Sequence, residues 1–164
     1  MTVVIRPGSE ADLPEILAIY NHAIAHTTAV YDYEPHTLAM REAWYEAKVA
    51  DQLPVLVATR DDQVVGFAAL SWFRAWAAYR YTVENSLYVA PDRQGQGIGR
   101  QLLRASIEAA RDREFHTIVS GIDADNAASL HLHRQFGFEQ VGHMQQVGYK
   151  FDRWLDLTFM QLIL

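Results

Sequence analysis

The 164-residue chain contains no cysteine, which excludes disulfides, thiolate metal sites and a cysteine acyl-enzyme. Any acyl transfer it performs is therefore direct. No apolar run approaches the roughly 18 residues of a membrane span, and the first residues, MTVVIRPGSE, lack the charged and apolar regions of a secretory signal. A cytoplasmic protein with no membrane contact is the expectation. Basic charge is also scarce: 14 Lys and Arg against 20 Asp and Glu leave a net charge of -6, which repels nucleic acid unless a local patch overrides it. The sequence shows no such patch. Repeats, linkers and low-complexity tracts are missing too, so residues 1–164 read as one domain. Half of those residues are hydrophobic (50%), enough for a full core.

What is present is organised around Tyr81 to Arg104, YTVENSLYVAPDRQGQGIGRQLLR. Tyr81, Val83, Asn85, Leu87 and Val89 alternate with Thr82, Glu84, Ser86 and Tyr88, as a strand requires. Pro91 ends it. Gly95, Gly97 and Gly99 then precede a run in which Ile98, Leu102, Leu103, Ile107 and Ala110 recur with helical spacing. Glycine lets a backbone bend sharply and approach a ligand, and the first turn of a helix offers unpaired N–H groups at a positive dipole end. This is an anion cradle suited to phosphate. A Walker loop would need Gly-Lys-Ser/Thr where Gly99-Arg100-Gln101 stands, and a dinucleotide fingerprint needs GxGxxG after a first strand. Neither fits.

The remaining chain alternates helices and strands. A strand at Val3 to Arg6 is followed by a helix capped by Ser9 or Asp12, with Pro14 in its first turn, and Thr37 caps a second helix to about Asp51. Between them lies a loop carrying Tyr31. Val55 to Arg60 and Val64 to Leu70 form a hairpin about Asp61-Asp62-Gln63. After the glycine helix come a strand at Thr117 to Ile122 and a helix capped within Asp123 to Asn126 and running through Gly137. Two strands, Glu139 to Val147 and Trp154 to Leu164, follow around a turn at Gly148 to Asp152. The succession favours parallel pairing by a right-handed crossover and an α/β domain with a mixed central sheet of six to seven strands flanked by about four helices.

The segment SWFRAWAAYR packs Trp72, Phe73, Arg74, Trp76, Tyr79 and Arg80 just before the central strand. Such density suits core or a dimer contact, or else a substrate mouth in which an arginine holds a carboxylate bidentately. The arginines favour the mouth. Glu84 is a carboxylate in mid-strand, where propensity and burial both disfavour it, so it is the candidate general base for an amine that must lose a proton. The plainer reading is a wet strand face or a pair with Arg80. His133 titrates near neutrality and is a second proton-transfer candidate. His22 and His26 could share a helix face, but no third ligand follows with metal spacing, so no metal is expected.

The pattern Gln94-x-x-Gly97-x-Gly99, after a strand ending Val89-Ala90-Pro91, resembles the acetyl-CoA pyrophosphate loop of the GCN5-related N-acetyltransferases (GNAT). Asn126-Ala-Ala-Ser129-Leu-His-Leu-His133, leading to Gly137-Phe138, is similar to their second signature, with His133 where the general pattern has tyrosine. That substitution, with Asn21-His22, Glu34-Pro35, Thr82 to Ser86, Gly148-Tyr149-Lys150 and Trp154-Leu155-Asp156, resembles the phosphinothricin and methionine sulfoximine acetyltransferase branch along nearly the whole chain. The resemblance implies a GNAT fold, acetyl-CoA as co-substrate, a small amino-acid acceptor and a homodimer. Acetyl-CoA would contact Leu87, Tyr88, Val89, Gln94, Gly95, Gln96, Gly97, Ile98, Gly99, Arg100, Asn126 and Ser129. The acceptor would contact Tyr31, Trp72, Arg74, Arg80 and Thr82, in a pocket closed by Tyr31, Trp72 and Trp76. A GNAT enzyme acting on protein N-termini and a CoA-binding module without catalysis are the alternatives.

Overall fold

The computed structural model describes residues 2–164. A single seven-stranded sheet runs in the order β1-β2-β3-β4-β5-β7-β6. Its strands are β1 (Val4–Pro7), β2 (Val55–Arg60), β3 (Gln63–Trp72), β4 (Thr82–Val89), β5 (Thr117–Asp123), β6 (Glu139–Lys150) and β7 (Arg153–Ile163). All neighbours pair antiparallel except β4 and β5, which are parallel. Helices α1 (Leu13–His26) and α2 (Leu38–Ala50) lie on one face, and α3 (Ile98–Asp112) and α4 (Ala127–Gln135) on the other.

Local chemistry sets the helix starts. Asp12 accepts hydrogen bonds from Ser9 N at 2.7 Å and Ser9 Oγ at 2.9 Å, closing a capping box ahead of α1. Its carboxylate also takes two bonds from Arg6, at 2.7 and 2.8 Å. These bonds, with Arg6 the largest influence, hold the Asp12 pKa down to about 2. Thr37 Oγ1 accepts from Met40 N at 3.2 Å and caps α2. The hydrophobic stripe of α3 buries Ile98, Leu102, Leu103, Ile107 and Ala110 against the sheet, as its spacing predicts. Asp61 and Asp62 both adopt positive φ, 52° and 62°, the geometry of a tight two-residue hairpin turn.

The last hairpin differs from the expectation. Gly148, Tyr149 and Lys150 are strand residues paired with Leu155, Trp154 and Arg153, and the turn shrinks to Phe151 and Asp152, both at positive φ. Irregularity moves instead into β6 between Met144 and Gly148. The reason is tertiary. Lys150 Nζ, although buried, donates to the carbonyls of Thr27 and Val30 at 2.8 and 2.7 Å, so the hairpin pins the loop between α1 and α2. A Cβ on Gly148 would come within 2.7 Å of the Tyr31 ring, so only glycine lets that ring settle there.

The feature that positions the site is where β4 and β5 stop pairing. They match only from Thr82 to Glu84 against Thr117 to Val119, yet β4 continues to Val89 and β5 to Asp123. Beyond Glu84 the strands part and leave one backbone edge of β4 open.

Candidate active site

Glu84 stands at the point of parting. Alternation sends Glu84, Ser86 and Tyr88 toward α1 and α2, and Val83, Asn85 and Leu87 toward α3 and α4. Because the strands separate there, groups from both faces line one cavity of about 270 Å3, including Glu84, Asn85, Ser86, Tyr88, Ser120, Asp123, His133 and Tyr31. No other described side chain holds the Glu84 carboxylate in an ion pair. Burial raises its pKa above the ordinary carboxylate value, opposed by the charges of Arg74 and Lys48. Lys48 donates to Leu70 O at 2.6 Å and to Ser71 Oγ at 2.5 Å. Ser71 faces Glu84 directly across the β3–β4 ladder. Burial brings the Lys48 pKa down to about 8.

His133 is 3% exposed. Its Nδ1 lies 2.8 Å from the carbonyl of Ser129; a carbonyl only accepts, so Nδ1 carries the proton and Nε2 presents its lone pair. Nε2 lies 3.4 Å from Asn85 Nδ2, and the Asn85 carbonyl accepts from Ser120 Oγ. Burial lowers the His133 pKa, opposed by the Ser129 hydrogen bond, and so favours the neutral ring. Tyr31 donates to Asp123 Oδ2 at 2.7 Å and to Asp156 O at 3.1 Å, and burial raises its pKa.

The glycine turn forms a second cavity of about 350 Å3, lined by Leu87, Tyr88, Val89, Gln94, Gly95, Gly97, Gly99, Arg100, Asn126 and Ser129 among others. It adjoins the Glu84 cavity along Leu87, Tyr88, Asn126 and Ser129. Gly95 and Gly97 have φ of 73° and 78°, with open space where a Cβ would stand. Gly97 is the residue before α3 and supplies no side chain, so no cap bonds the first N–H groups of that helix. Those donors remain for a phosphate. The cavity therefore fits a CoA-type ligand, anionic at one end and narrow at the other.

Some side chains lie away from the cradle and leave only their backbone N–H groups to it: that of Ile98, 1% exposed, belongs to the core, and that of Gln96 is held by Arg60 at 2.7 Å. Trp72, Arg74, Trp76 and Arg80 line a separate surface cleft, so the expected closure of the acceptor pocket by Tyr31, Trp72 and Trp76 is not formed within this chain. Strand alternation explains it: Trp72 pairs with Val83, not Glu84, and points to the face where it meets Phe115 at 5.9 Å. Arg80 lies over the Tyr81 ring. Thr82 shares the face of Glu84 but does not line its cavity. The expectation also missed Asn85, Ser120 and Lys48. A polar Asn85 on a face otherwise given to Val83 and Leu87 was the available signal for the first.

The model of the acetyltransferase (GNAT) family matches residues 16–138. The chain belongs to this family. As a GNAT acetyltransferase it is 50% identical to an L-methionine sulfoximine/L-methionine sulfone acetyltransferase of Pseudomonas paraeruginosa, over 99% of this chain and 95% of that one. A GNAT superfamily phosphinothricin acetyltransferase from Sinorhizobium meliloti, solved in complex with acetyl-CoA, superimposes with a TM-score of 0.97 at 34% identity, covering 100% of this chain and 89% of the other. A ribosomal-protein-alanine N-acetyltransferase from Brucella melitensis is similar as well, with a TM-score of 0.96 and 50% identity over 98% and 99% of the two chains. Among the described residues no group of three or more His, Cys, Asp or Glu could hold a metal, and no helix is long and apolar enough to cross a membrane.

Proposed function

We propose that this acetyltransferase moves the acetyl group of acetyl-CoA directly to the α-amine of a small free amino acid whose side chain resembles methionine sulfone, methionine sulfoximine or phosphinothricin. One observation carries the reading: a carboxylate with no salt-bridge partner, Glu84, faces a cavity of about 270 Å3 that adjoins the phosphate cradle. That space suits a single amino acid.

In this reading the α3 N-terminus and the Gln94 to Gly99 turn hold the pyrophosphate through backbone N–H groups, and the open edge of β4 at Leu87 to Val89 receives the pantetheine arm. Asn126 and Ser129 border the thioester end. Glu84, directly or through one water, takes the amine proton as the nitrogen attacks the thioester carbonyl. The nitrogen–carbon bond forms, the tetrahedral intermediate collapses, and CoA departs as a thiolate, a good leaving group at its pKa of about 8.5. His133, neutral, assists as the second proton-transfer group through Nε2. Tyr31 closes the acceptor side. Arg74 lines the neighbouring cleft and stacks on Phe73, as Arg80 does on Tyr81, but its charge reaches Glu84, and in this reading it takes the acceptor carboxylate. Thioester aminolysis by this route needs no metal.

Two copies pair in this reading, covering the exposed Tyr149, Phe151 and Trp154 of the last hairpin; the protein acts in the cytoplasm, without nucleic acid or membrane. The likeness to the Brucella enzyme favours a second reading, acetylation of protein N-termini. Acetyl-CoA turnover measured with the three amino-acid analogues, the common amino acids and an alanine-terminated peptide separates the two. A free amino acid leading in kcat/KM is the expected result; a peptide leading reverses the assignment.

A further inference from the structure

Tyr20 of α1, Arg41 and Trp44 of α2, Phe67 of β3 and Tyr88 of β4 border a chamber of about 290 Å3 that the proton transfers leave unused. Arg41 is 3% exposed, no carboxylate pairs with it among the described residues, and its Nε is buried without a hydrogen-bond partner. The guanidinium lies 4.2 Å from the centroid of Tyr20 and 4.6 Å from that of Trp44. Stacking offsets part of the desolvation and the Tyr20 hydroxyl interacts with the guanidinium, but Nε is left without an acceptor. A buried cation left in this condition is costly unless something with oxygen acceptors occupies the space beside it.

The chamber supplies further donors. Ser71 accepts its bond from Lys48, so its own hydroxyl proton is free to donate. No acidic side chain lines the chamber; Asp32, whose charge reaches Tyr20, is bonded to His36 at 3.0 Å. Ser86 and Tyr88 line both this chamber and the Glu84 cavity, so the two adjoin. The remaining lining is the rings of Tyr20, Trp44, Phe67 and Tyr88, the His36 imidazole, Ser86 and the thioether of Met40.

We propose that this chamber receives the side chain of the acceptor, and that Arg41 selects a head group in which a tetrahedral sulfur or phosphorus carries both oxygen and methyl. The proposal rests on the acetyl-transfer reading, which places the acceptor amine at Glu84. The oxygens take the donors of Arg41 and Ser71, and the methyl group lies against the rings. The α-carboxylate is the wrong occupant. Its carbon stays about 2.5 Å from the amine nitrogen, on the near side of Ser86 and Tyr88, whereas the side chain reaches past them.

The test is the ratio of kcat/KM for L-methionine sulfone to that for L-methionine, which lacks the oxygens, in the full-length wild type, Arg41→Met and Arg41→Lys. The sulfone leads in the wild type, and Arg41→Met lowers the ratio by about 10 to 100-fold, the worth of a hydrogen bond to a charged group. Arg41→Lys, which keeps the charge but not the fork, falls between them and serves alone if the methionine variant does not fold. Equal losses on both acceptors, or an unchanged ratio, overturn the proposal. If the wild type acetylates no amino acid, the acetyl-transfer reading fails. Calorimetric titration of the CoA-loaded protein with methionine sulfone then decides the chamber separately: binding lost in Arg41→Met supports it, and no binding to the wild type overturns it.

Discussion

Two clusters of aromatic rings and arginines lie on this acetyltransferase. One, Trp72 to Arg80, is contiguous in sequence and largely exposed, with Trp76 at 71%. The other brings together Tyr20, Arg41, Trp44, Phe67 and Tyr88 from four elements and buries its arginine. A guanidinium in water is already solvated, so stacking on Phe73 or Tyr81 obliges nothing further. The same group at 3% exposure has exchanged water for ring faces and leaves its Nε without an acceptor, which makes it the more demanding of the two toward a ligand. Local density of a residue type is thus a weaker guide to a site than burial without a partner.

Glu84 is the reference point for both clusters, and Glu84→Gln should have the largest effect: it keeps the shape but cannot accept a proton. A fall in kcat of about 10² to 10⁴ is expected, with CoA affinity nearly untouched. In the wild type the rate should rise with pH through a value above the ordinary carboxylate range, because burial raises the Glu84 pKa and only the ionised form is a base. Steady-state pH profiles of both proteins check this, and a variant within a few-fold of wild type would place the base elsewhere.

Gly97→Val comes next. A β-branched residue at a φ of 78° is strained by roughly 1 to 2 kcal/mol and intrudes on the cradle. The expected outcome is a rise of about tenfold or more in the Kd for CoA by calorimetry, with the fold retained.

The exposed cluster can be divided against itself. Arg74→Ala should raise the KM of the acceptor by about tenfold, the loss of a charge-assisted contact, whereas Arg80→Ala should change it by less than about threefold. Equal effects would show that the exposed segment acts as a unit and would weaken the contrast with Arg41.

The smallest effect is on stability. Asp12 has a folded pKa of about 2 against an ordinary 3.8, so its contribution is fully present above 3.8 and is lost as pH falls through that window toward 2. Arg6 is partly open to water, which screens the pair, and Asp12→Asn should cost about 1 kcal/mol at neutral pH. Urea unfolding at pH 7 and near pH 2 should show the difference between variant and wild type disappear at the lower value.

The elements were largely legible because their signals are local. Asp12 closes the capping box of the turn ahead of α1 and Thr37 caps α2, each through bonds to a residue three away, and the α3 stripe repeats within one helix. The glycine cradle was legible for the same reason, since the turn and the helix start it serves are contiguous. The Gly148 to Lys150 stretch was misread as a turn because its glycine answers to Tyr31, more than a hundred residues earlier in the chain. That Trp72 turns away from the Glu84 cavity was not legible, because the β3–β4 register, not composition, decides which face its side chain takes. Arg41, Trp44 and Lys48 recur at helical spacing on α2, a face visible in principle, but nothing in that spacing says that Tyr88 and Ser71 lie opposite.

The sequence by itself determined the strand and glycine turn that make the cradle, the placement of Glu84 in mid-strand, and the family signatures, because each depends on residues within one or two turns of backbone. The tertiary structure alone decided that β4 and β5 part after Glu84, that His133 is buried with its Nδ1 on the Ser129 carbonyl, and that the Nε of Arg41 is buried without a partner. Each of these is a relation between distant segments, set by sheet register and burial, which no local pattern encodes.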